Sequence, residues 1–108
     1  MAVKTPKDLY KVLTFENWEA SQGLDFIKLS GDDHAFIHFS TEGQLDRIID
    51  KYWCGVDRFV ILKIDSEKLL GKLVFEANPH GTNKYYHLYN GCIPIESVVE
   101  SKIISNSG

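Results

Sequence analysis

The chain has 108 residues, 44% of them hydrophobic and 25% charged, with a formal net charge of -3. That is the length of one domain and the composition of a globular one, expected to span 1–108 with its core in 9–104. The acidic balance excludes a general grip on nucleic-acid phosphates, which needs a basic surface. The longest apolar run, Phe59-Val60-Ile61-Leu62, falls far short of the roughly 20 residues that cross a bilayer. Met1 to Lys11 carries three lysines and no apolar stretch, so no secretory leader is expected. The expectation is a cytoplasmic monomer without membrane contact, with Cys54 and Cys92 as free thiols.

In chain order, Leu9 to Leu13 reads as a strand and Thr14 as the N-cap of a helix that ends at Gln22 before Gly23. Phe15 and Trp18 share the buried face of that helix. Residues 24–33 read as a loop with a short extended piece, turning at Gly31-Asp32-Asp33. Ala35 to Phe39 alternates as a strand, with Phe36 and His38 on one face and Ile37 and Phe39 on the other. Thr41-Glu42-Gly43-Gln44 matches a capping box. The helical spacing of Leu45, Ile48, Ile49, Tyr52 and Trp53 follows, with Gly55 as the stop, and predicts Leu45, Ile48, Ile49 and Trp53 packed inward. Arg58 to Ile64 is apolar on both faces, as a central strand is. Then come a helical turn from Asp65 closed by Gly71, a strand from Lys72 to Ala77 and a turn-rich loop, Asn78 to Asn83. A strand from Tyr85 to Tyr89, a tight turn at Asn90-Gly91, a helical turn at Pro94 to Ser97 and a strand from Val98 to Ile104 complete the chain. The sum is α+β: about six strands in a mainly antiparallel, strongly bent or split sheet, with two or three short helices.

Two segments could carry chemistry. Phe36 to Thr41 (F-I-H-F-S-T) places His38 near a strand end, with Ser40 and Thr41 at a helix start, where free amides suit an anion. Tyr85 to Tyr89 (Y-Y-H-L-Y) places His87 between two phenols on one strand face, which suits a flat ring. The plainer readings are a half-buried strand histidine beside an ordinary cap, and a tyrosine-rich core strand. No metal site is expected. His34, His38, His80 and His87 lack ligand spacing, and His34 and His38 would stand about 13 Å apart on a strand. No P-loop, dinucleotide fingerprint or nucleophile elbow occurs.

These motifs together resemble the small bacterial domains called domain-of-unknown-function family 952. That family reads roughly Y-K-I-L or Y-H-I-T, a Trp in the first helix, G-F-I-H-x-S-T, W-E and H-L-Y-G. The counterparts here are Tyr10-Lys11-Val12-Leu13, Trp18, Ala35 to Thr41, Phe75-Glu76 and His87-Leu88-Tyr89-Asn90-Gly91. Ala35 replaces the favoured Gly, Phe75 the favoured Trp, and Asn90 is inserted before Gly91. At a distance the family is similar to the ADP-ribosyltransferase-like fold, also used by RNA 2′-phosphotransferases that consume NAD. The resemblance implies a nucleotide- or NAD-related transferase-like enzyme, with a non-catalytic module binding a small ligand or a protein as the alternative. His38 and His87 would be acid–base groups, Lys11 a charge for phosphate, Ser40 and Thr41 an anion holder, and Glu76 and Tyr89 further ligand contacts. The two histidines should then share one concave site near the Thr41 helix start.

Overall fold

A computed structural model describes residues 5–29, 35–77 and 81–106. The elements are strand β1 (Asp8–Thr14), helix α1 (Phe15–Ser21), strand β2 (Ile37–Phe39), helix α2 (Glu42–Ile48), and strands β3 (Arg58–Asp65), β4 (Leu70–Ala77), β5 (Lys84–Cys92) and β6 (Val98–Ser105). A π-helical turn, Ile49–Trp53, extends α2, and short 3₁₀ turns cover Ser66–Lys68 and Ile95–Ser97. The strands form two three-stranded sheets, ordered β1-β3-β6 and β2-β5-β4, with antiparallel pairing throughout. A bridge joins them, with Tyr10 N–H to Ser40 O at 2.8 Å and Ser40 N–H to Tyr10 O at 2.9 Å. The sheet is thus split, as expected for this α+β pattern.

β3 is apolar on both faces because both are covered. Val60, Leu62 and Ile64 face the main core with Leu9 and Leu13 of β1, meeting Ile37, Phe39, Tyr86 and Leu88 of the second sheet. Phe15 and Trp18 of α1 pack against this core. On the other face Phe59 is buried and lies 5.5 Å from the Trp53 ring. The segment before β2 is anchored by Ile27 N–H to Ile93 O and Ile95 N–H to Asp25 O, both at 2.9 Å.

Three sequence expectations change. β2 begins at Ile37 rather than Ala35. Asn90-Gly91 is no tight turn: β5 runs on to Cys92, and the register slips opposite Leu70–Lys72, with Asn90 at φ 51°. Backbones cross closely there. A Cβ on Gly91 would overlap the Leu70 carbonyl, and one on Gly71 would sit 2.7 Å from Tyr89 O, so both positions need glycine. Finally, none of Leu45, Ile48, Ile49 and Trp53 is fully buried. The π turn departs from 3.6-residue periodicity, and Tyr52 is left 58% exposed. Gly31-Asp32-Asp33, His34 and Asn78-Pro79-His80 lie outside the described residues.

Candidate functional site

The β2–β5 register makes His38 and His87 direct cross-strand partners, and the β4–β5 register sets Glu76 beside Tyr85 on the same face. Alternation sends Ile37, Phe39, Tyr86 and Leu88 into the core, so His38, His87, Tyr89 and Glu76 take the outer face of the second sheet. The imidazole centroids are 5.3 Å apart with the rings edge to face. Phe36 lies across them, stacked on His87 at 4.1 Å, tilted over His38 at 4.8 Å and 5.3 Å from the Tyr89 ring. Glu76 Oε1 receives His87 Nδ1–H at 3.0 Å and also the Tyr89 hydroxyl.

The shared carboxylate organises the charge. Hydrogen bonds from Tyr89 and then His87 hold the Glu76 carboxyl below its ordinary range. Burial lowers the His87 pKa, opposed by its bond to Glu76. The Tyr89 phenol is raised, first by its bond to Glu76 and then by burial. An ionised carboxylate only accepts, so Nδ1 carries the proton and Nε2 of the neutral ring carries the lone pair. The arrangement can accept and return a proton at an imidazole whose tautomer is fixed. His87 itself has no exposed surface, with Phe36 stacked on its ring.

The other expected site residues lie on β1 and at the junction of β2 and α2. Lys11 falls on the buried face of β1 between Leu9 and Leu13. Ser40 is buried, with its amide spent on Tyr10, and the Thr41 amide donates to Gln44 Oε1 at 3.0 Å. Those two amides are therefore used within the fold, in one sheet bond and one cap bond. The Gln44 side chain also donates to Lys84 O at 2.7 Å, fastening α2 to β5. Beside it lies a depression of about 260 Å³ lined by Gly43, Gln44, Arg47, Asn83, Lys84 and Tyr85, with neither imidazole in its lining. Among the described residues no group of three or more His, Cys, Asp or Glu converges as metal ligands would.

Sequence reasoning missed Phe36 as a cover for His87. The signal was present, because alternation already put Phe36 on the face of His38. It missed Arg47 and Lys84 as walls of one depression, since their approach depends on how α2 meets β5.

The fold and face define an α+β domain of two small antiparallel sheets, one carrying two cross-strand imidazoles of which His87 is held by a carboxylate. The chain belongs to the family described as protein of unknown function (DUF952), whose match covers residues 12–101. It is similar to protein CC0527 from Caulobacter crescentus. The crystal structure of that protein matches with a TM-score of 0.76 at 26% identity, covering 89% of this chain and 84% of that one. Its solution NMR structure matches with a TM-score of 0.75, covering 90% and 84%. None of the curated proteins matches the chain.

Proposed function

We propose that the chain is a small-molecule enzyme of acid–base type, with His38 and the Glu76-held His87 as its proton-handling pair and a nucleotide or related phosphorylated compound as its ligand. The observation that supports this is the 3.0 Å bond between His87 Nδ1 and Glu76, beside a second imidazole 5.3 Å away. A carboxylate that fixes one nitrogen sets the orientation and tautomer of the ring, as a general base requires. The lowered pKa keeps His87 unprotonated at neutral pH, and therefore able to accept a proton. The ligand class comes from the ADP-ribosyltransferase-like resemblance, with Phe36 and Tyr89 as rings for a base to meet.

The burial of His87 under Phe36 favours a second reading, a non-catalytic binding module using the same face. Calorimetric titration with adenosine 5′-monophosphate and NAD, followed by product analysis, separates the two. On the enzyme reading the nucleotide binds and is converted, and His38→Ala and His87→Gln lose conversion while still melting cooperatively. Binding without conversion supports the module. Variants that bind and convert like the wild type would remove both histidines from the site.

A further inference from the structure

We infer that the depression between α2 and the start of β5 anchors the phosphate of a phosphomonoester ligand, a reading that rests on the acid–base face proposed above. Its walls come from two elements. Gly43, Gln44 and Arg47 stand on α2, while Asn83, Lys84 and Tyr85 lead into β5. The Gln44 side chain, bonded to Lys84 O at 2.7 Å, fixes the distance between the walls. Arg47 and Lys84 thus line one small concavity from two different elements.

Among the described residues the ion pairs are Lys63 with Asp8 and His87 with Glu76, and neither Arg47 nor Lys84 enters one. Asp46 and Asp50 flank Arg47 along the helix without pairing to it. In a chain of net charge -3, two unpaired cations on one concavity are a local exception. Arg offers a planar fork and Lys a point charge, and both suit phosphate oxygens. Asn83 and Tyr85, both able to donate through their side chains, belong to the same lining.

The placement also suits the reaction face. Tyr85 shares its strand face with His87, two residues away, or about 7 Å along β5. Glu76 is the cross-strand partner of Tyr85, but its carboxylate is drawn to His87 and Tyr89, away from the depression. A ligand with its phosphate between Arg47 and Lys84 would extend its next groups along β5 toward the imidazoles. At about 260 Å³ the depression takes a phosphate and leaves the rest of the ligand outside it, beside the sheet.

The test is a backbone amide NMR titration with inorganic phosphate at constant ionic strength. Saturating shifts should appear at Gly43, Gln44, Arg47 and Lys84, and vanish in the Arg47→Gln/Lys84→Gln variant. In the same variant, adenosine 5′-monophosphate should lose its preference over adenosine, about tenfold in the wild type for one charge-assisted contact. Absent or unsaturable shifts, or a double variant that keeps the preference, would overturn the phosphate anchor. His38→Ala distinguishes the two proposals. It should weaken adenosine binding and leave the phosphate shifts in place. Unchanged adenosine binding in that variant, with phosphate shifts retained, would sink the acid–base face and not the anchor.

Discussion

Glu76 holds two donors at once, and the sign of its effect on stability follows from each group's shift. The Glu76 carboxyl is lowered, so its contribution is present above the ordinary carboxylate range and is lost as pH falls through its folded pKa. His87 is lowered too, and the unfolded chain takes up its proton first, beginning near pH 6.5, roughly the free imidazole value. Tyr89 is raised, so its contribution is lost as pH rises past roughly 10. Thermal melting across pH should therefore show a plateau from about 7 to 10, the range between those free values. His87→Gln should flatten the decline that begins below that plateau, and an unchanged profile would show that His87 titrates as in water. Phe36→Ala tests the cover: burial is the main cause of the lowered His87 pKa, so uncovering the ring should move it back up in an imidazole NMR titration. The strand face of these residues was legible from alternation. That Glu76 would serve both His87 and Tyr89 was not, because side-chain reach between β4 and β5 depends on register.

At the scale of elements, local signals worked where the bond they describe is local. Thr14 caps α1 by accepting from Asn17 N–H at 3.1 Å, and Gln44 closes on Thr41, both as spacing predicts. The same Gln44 reaches Lys84, 40 residues away, and nothing in a four-residue motif carries that. Gln44→Ala should cost about 1–2 kcal/mol in chemical denaturation, more than a cap alone, because two bonds go. Helical periodicity failed at Ile49–Trp53, where a π turn breaks the repeat. Ile49→Ala should accordingly cost about 1 kcal/mol, the value of a half-buried side chain. Gly91→Ala should cost at least about 2 kcal/mol, because a methyl there overlaps the Leu70 carbonyl. A Gly91→Ala protein as stable as the wild type would mean that the two backbones leave room for a methyl at this crossing.

For the whole molecule, the α+β class and the split antiparallel sheet were legible from the number and apolar pattern of the strands. Which strands pair was not, since β1 with β3 and β2 with β5 are contacts between distant segments that no single stretch specifies. The core depends on that pairing. Leu62 is fully buried at the centre of β3, and Leu62→Ala should cost about 2–5 kcal/mol against the smaller loss at Ile49. The same pairing sets His38 opposite His87, the step from two separate motifs to one face. Nitrogen NMR of the His87 ring, with and without adenosine 5′-monophosphate, tests that face most directly. The expected result is a neutral ring protonated at Nδ1 near pH 7, with Nε2 shifting as the nucleotide saturates. A ring protonated at Nε2 alone, or one that ignores the nucleotide, would contradict it.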